Sequence, residues 1–167
     1  MLKQEIQEDL NRFIKEKSEI ERSVLRSFLA SILNKEKEKR YKVAKIEPGI
    51  EEKDLVEKSI LTNQEIIQLL FYEIKKRKES ILVFSQGNRQ ELAEKEESEI
   101  KVLKKYLPEQ IPEKEIREIV KKNIAETKAS TIKDIGVVIK KTMEEVAGKA
   151  EAGVVSKIAK ELLLRKE

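Results

Sequence analysis

The sequence predicts an all-α protein: an N-terminal four-helix domain followed by a small C-terminal three-helix domain. Three observations predict it. Glycine and proline are scarce, at five and three of 167 residues, which disfavours turn-rich β folds. Apolar residues recur at helical spacing along most of the chain. That periodicity is broken sharply at "YLPEQIP", where Pro108 and Pro112 stand close together. Proline lacks an N–H and pushes the residue before it out of helical geometry. The chain therefore divides into a domain over residues 1–107, a Pro-containing hinge at 108–112 and a domain over 113–167.

The elements follow in order. Leu2, Ile6, Leu10 and Phe13 mark a first helix. Ser18 and Glu21 have capping-box spacing and start a second, whose apolar face is Ile20, Val24, Phe28 and Ile32. Pro48-Gly49 is a turn signal, so residues 42–62 read as a long connection with room for a short helix near Glu52. Thr62 and Glu65 form the next capping box, opening a helix with Ile67, Leu70, Ile74, Ile81 and Phe84. Gly87 ends it, and Asn88 with Glu91 opens another that carries Leu92, Ile100, Leu103 and Leu107. Beyond the prolines come a helix over 113–127, one signalled by Thr131 and Asp134, and one after "GKAEAG" carrying Val155, Ile158 and Leu162.

Composition narrows the function classes. Charged residues make up 41% and aromatic residues 4%, with a net charge of +4. That excess permits contact with nucleic acid without arguing strongly for it. No stretch approaches the about 20 apolar residues of a membrane span, and "MLKQEIQEDLN" is too charged for a secretory signal. With no cysteine there is no disulfide framework. A cytoplasmic protein is the simplest expectation. Without His or Cys, catalytic triads and zinc sites built on them are excluded. No glycine-rich phosphate loop is present. The carboxylates of "ELAEKEESE" read as a solvated helix face rather than a metal site. No catalytic residue, metal or cofactor is expected, and an enzyme acting on its own is disfavoured.

The segment "KKRKESILVFSQGNRQELAEKEESEIKVLKKYLPEQI" closely resembles the signature of the YqeY-like family. Lys75, Arg77, Ser80, Ile81, Phe84, Asn88, Arg89, Leu92, Tyr106, Leu107, Pro108 and Gln110 match it. Leu25-Arg26 resembles the family's second helix, and Gly136, Val138, Gly148, Lys149 and Ala150 its closing segment. Glu151-Ala152 departs from the usual Asp-Gly or Asn-Pro, and Pro112 stands where a capping Ser or Thr is common. The resemblance implies a fold shared with the C-terminal tail of the B subunit of glutamine-dependent tRNA amidotransferase. A similar module is appended to some glutaminyl-tRNA synthetases. It implies a helical module that touches tRNA and, as partners, translation or amidotransferase components. The amidotransferase's catalytic parts lie outside that tail, so the family's carbon–nitrogen ligase label, with glutamine as amido donor, is the weakest reading.

Within this resemblance Lys140, Lys141, Lys149 and Lys157 are the candidate RNA contacts, since lysines neutralise phosphates without reading sequence. The competing reading is an ordinary solvated face diluted by Glu144, Glu145 and Glu151. The "GKAEAG" loop leads to a helix N-terminus that either binds phosphate or is only a tight turn, with Glu151 placed to repel an anion. Arg77 and Arg89 either serve a surface site or pair with glutamates to hold helices together. Arg26 is expected to lie along the apolar edge and pair. Tyr106 and Leu107 are expected to pack where the domains meet. Two function classes remain: a non-catalytic tRNA-associated module, or a protein–protein adaptor without RNA contact.

Overall fold

The computed structural model describes residues 1–164. They are all-α, with eight α-helices, one short 3₁₀ turn and no strand among the described residues. The chain forms two compact units, Met1–Tyr106 and a second that begins at Leu107. No described helix is long and apolar enough to cross a membrane.

The first unit comprises α1 (Leu2–Lys15), α2 (Glu19–Ile46), α3 (Glu52–Ser59), α4 (Asn63–Gln86) and α5 (Gln90–Lys104). Its core joins Ile6 and Leu10, Val24, Phe28 and Ile32, Ile66, Leu70 and Ile74, and Leu103. These recur at three- and four-residue steps because one stripe of each amphipathic helix is buried. Each such side chain, fully buried, contributes about 1.5–3 kcal/mol. Leu92, expected on the buried face of α5, is 39% exposed; Ala93 takes the inward place.

The short helix expected near Glu52 to Ser59 forms as α3, and it makes a fifth helix where the unit was expected to have four. The connection expected over 42–62 is largely helical. Helix α2 runs on to Ile46 because no breaker occurs before Pro48-Gly49, where Gly49 takes a positive φ of 91°. Only residues 47–51 and 60–62 remain outside helices. The chain is anchored before α4 by Glu36, a buried carboxylate that accepts from Lys3 Nζ at 2.7 Å and from the Leu61 N–H at 3.3 Å. The Thr62–Glu65 capping box forms as expected, with reciprocal bonds of 3.2 and 2.7 Å.

The other two boxes expected in this unit do not form. Ser18 caps α2 without a side-chain hydrogen bond, and its N–H donates back to the Phe13 carbonyl. Arg89, not Asn88, is the N-cap of α5; the Asn88 N–H donates to the Ser85 carbonyl and the Arg89 N–H to the Phe84 carbonyl. In both cases the donor that Glu21 or Glu91 would have taken is spent on closing the preceding helix. Lys17 and Asn88 supply the left-handed residue of these closures, with φ of 57° and 53°. Gly87 is the C-cap that ends α4, as expected, and does so with a negative φ.

The second unit holds α6 (Glu113–Glu126), α7 (Ile135–Val146) and α8 (Ala152–Leu164). Pro112 caps α6 without a side-chain bond. The Thr131–Asp134 box closes on the 3₁₀ turn Ile132–Asp134, which runs straight into α7. Ile116, Val120 and Ile124 pack with Val138, Val146, Val155, Ile158 and Leu163. One polar pair sits inside: Asn123 Nδ2 donates to Thr142 Oγ1 at 3.2 Å and to Glu145 at 3.0 Å. The Oδ1 of Asn123 has no partner among the described residues.

Candidate functional site

Two of the signature segments meet in the second unit. Helix α7 ends in two successive left-handed residues, Ala147 at φ 47° and Gly148 at φ 86°. Glycine tolerates that region freely; alanine does so at a cost. The reversal turns the Gly148 and Lys149 carbonyls toward the proline segment. Gln110 Nε2 donates to the Pro108 carbonyl at 2.6 Å and to the Gly148 carbonyl at 3.3 Å. The Ile111 N–H donates to the Lys149 carbonyl at 3.0 Å. Ala150 is buried, while the Lys149 side chain is exposed. The turn therefore has a fixed backbone and an exposed cation at its tip.

The first turn of α8 carries its own anion. The Glu151 carbonyl accepts from the Val154 and Val155 N–H groups. Its side-chain Oε1 lies 3.6 Å from where a Cβ on Gly153 would sit. A carboxylate beside the start of a helix is favourable to the helix and unfavourable to an external phosphate.

The four candidate lysines separate into two kinds. Lys140 on α7, Lys149 and Lys157 on α8 are exposed and make no ion pair among the described residues. Lys141 is turned toward α6, where it pairs closely with Glu126 and holds that carboxyl below its usual range. Similar links remove glutamates from α7 and α8. Glu145 pairs with Lys122 at 2.9 Å, and Glu161 with Arg117 at 2.9 Å. Lys122 first, then Asn123, lower Glu145. Among the described residues from Ile132 onward, what stays without an ion pair is Lys133, Lys140, Lys149, Lys157 and Lys160, against Glu144 and Glu151. Asp134 is engaged in its capping box, where the Thr131 and Ser130 N–H groups hold it low. Lys160 is not among the sequence-predicted candidates, yet it lies three residues beyond Lys157 on the exposed side of α8; that spacing is the signal that finds it.

The signature residues of the first unit are placed differently. Arg77 is 11% exposed and lies among Glu73 at 2.8 Å, Glu99 at 3.1 Å and Glu96 at 3.9 Å. Ser31 on α2 donates to Glu73, so the cluster ties α2, α4 and α5. Burial first, then the neighbouring Glu99, raises Glu96 above the usual carboxylate range. Tyr106 is buried and its hydroxyl donates to Asp9 of α1 at 2.7 Å; Asp9 also pairs with Arg12. Burial, followed by the Asp9 bond, pushes the Tyr106 phenol far up. Arg89 and Arg26 are exposed and make no ion pair among the described residues.

The sequence profile of the Yqey-like protein family matches residues 3–163. The chain belongs to this family. An uncharacterised protein of Schizosaccharomyces pombe (strain 972 / ATCC 24843) is 44% identical over 52 residues. That match covers 31% of this chain and 42% of the yeast protein, so it spans less than half of that relative. In this YqeY-like chain the signature residues serve two geometries. Arg77 and Tyr106 knit helices of the first unit together. Gln110, Gly148, Lys149 and Ala150 build one turn in the second.

Proposed function

We propose that this YqeY-like chain is a non-catalytic, tRNA-associated helical module whose contact surface is the outer side of α7 and α8. The observation that carries it is the sorting of charge in the second unit. Cross-helix pairs to α6 consume Glu145 and Glu161, leaving Lys140, Lys149, Lys157 and Lys160 exposed. Lysines held this way neutralise phosphates and release counterions without reading bases. Lys141 drops out of the contact set, because Glu126 holds it. The two-domain division belongs to the same proposal, with the joint at 108–112 leaving each unit its own core. Gln110 and Ile111 are tied to the α7–α8 turn, which concentrates any bending at residues 107–109.

The test is binding of total tRNA to the full chain at several salt concentrations. Affinity on the order of micromolar or weaker, falling steeply with salt, is the expected result. Absence of binding at low salt hands the function to the protein–protein adaptor. That second reading is favoured by Leu82 and Val83, adjacent and exposed near the end of α4. The purified chain is expected not to release ammonia from glutamine, since it has no His or Cys. Steady release would restore the ligase reading.

A further inference from the structure

The first unit has an open groove of about 760 Å³ between α2 and α4. Its α2 wall runs from Ser31 to Lys42, a span of about 17 Å at the helical rise. We propose that this groove binds a single strand of RNA, stacking one base on Tyr72 and holding phosphates with Lys42 and Lys76.

Three features point to that ligand. Tyr72 is 60% exposed on the α4 wall, a position that leaves its ring open to a partner. Aromatic faces of this kind stack any base, because every base has a π-face. Lysines then bracket the ring. Lys35 and Lys42 line the opposite wall, and Lys75 and Lys76 follow Tyr72 by about one turn along α4. Lys42, Lys75 and Lys76 make no ion pair among the described residues, whereas Lys35 and Glu38, both in the lining, pair with each other at 2.7 Å. Finally, the remaining carboxylates of the groove are engaged. Glu65 is held by Lys39 and by its capping box, and Glu73 by Arg77. They present little free negative charge to a phosphate. The amides of Asn34 and Gln68 also line the groove and supply both donors and acceptors for a base edge.

This inference does not rest on the α7–α8 reading, and the experiment separates the two. Fluorescence anisotropy of a labelled single-stranded RNA of about ten nucleotides, a length within the usual single-strand site size, added to the full chain at low salt, is the assay. Tyr72→Leu should weaken binding by about tenfold, the loss expected for one stacked base. Lys42→Glu combined with Lys76→Glu should weaken it further and flatten its salt dependence. In a Lys140→Glu, Lys149→Glu, Lys157→Glu background, which removes the lysine surface of the second unit, Tyr72→Leu should still weaken binding by about tenfold. Each variant should keep the wild-type melting temperature, since all these side chains are exposed. Blunt duplex RNA of the same length should bind more weakly, because its bases are paired. No binding of the strand by the wild type at low salt overturns the proposal. So does equal affinity for Tyr72→Leu, equal binding of duplex, or displacement of the strand by AMP at equal concentration.

Discussion

Arg77 and Lys149 both belong to the signature segments, and the two units use them in opposite ways. Arg77 is partly buried among Glu73, Glu96 and Glu99 and joins three helices. Lys149 stands exposed at a turn whose backbone is fixed by the Ile111 and Gln110 bonds. A cation ringed by carboxylates inside the fold has no charge left to offer a partner. A cation whose neighbours are paired elsewhere keeps its charge for one. Membership in a signature therefore does not by itself assign a role; the partners of each side chain do.

The contrast is broken most forcefully at Arg77. Arg77→Leu strands three carboxylates in a partly buried site and should cost about 3–5 kcal/mol, the range for removing one member of a buried pair. Urea unfolding of the full chain measures it. Arg77→Lys should recover only part, since a lysine cannot reproduce the planar fork. A loss below about 1 kcal/mol would place Arg77 with the surface cations instead.

Tyr106→Phe comes next. It removes the bond to Asp9 and should cost about 1.5–3 kcal/mol, as for hydrogen bonds to charged groups. Lys141→Ala should shift the unfolding midpoint less than Tyr106→Phe, because its pair with Glu126 is exposed.

The pH response should differ in sign between Glu96 and the paired glutamates of the second unit. Glu126 and Glu145 are held below their ordinary value of 4.5 by Lys141 and Lys122. The unfolded chain then binds protons more readily than the folded one in acid. Their contribution is complete above about 4.5 and is lost as the pH falls through their folded values. Glu96 is raised, so its charge opposes folding at neutral pH and that opposition fades on acidification. Glu96→Gln should therefore raise the melting temperature slightly at about pH 7 and not at about pH 4. A gain of equal size at both would remove Glu96 protonation as the cause.

How much of this is legible in the sequence follows from how local each cause is. The Thr62–Glu65 and Thr131–Asp134 boxes and the helix faces are set within a few residues, and their spacing exposes them. The failures at Ser18 and Asn88 come from a competition. The N–H each box needs is already closing the helix before it, so the pattern alone does not decide. The length of α2 escapes a sequence reading because its charged stretch looks like a frayed end, although nothing before Pro48 stops the helix. The candidate lysines are visible as residues but not as a site. Whether Lys141 or Lys149 keeps its charge for a partner depends on Glu126 of α6 and on Ile111 and Gln110, which only the packed second unit brings near. Arg77 likewise needs α5 in place before its glutamates can be named.

The salt dependence of tRNA binding tests the contrast most directly. Wild-type chain and the Lys140→Glu, Lys149→Glu, Lys157→Glu variant should be titrated with total tRNA across a range of salt. The exposed lysines predict weaker binding by the variant and a shallower slope of log affinity against log salt, roughly 0.7 to 0.9 less for each phosphate that the variant no longer neutralises. The melting temperature should not change. Equal affinities and slopes for the two proteins would contradict the assignment of these cations to a partner.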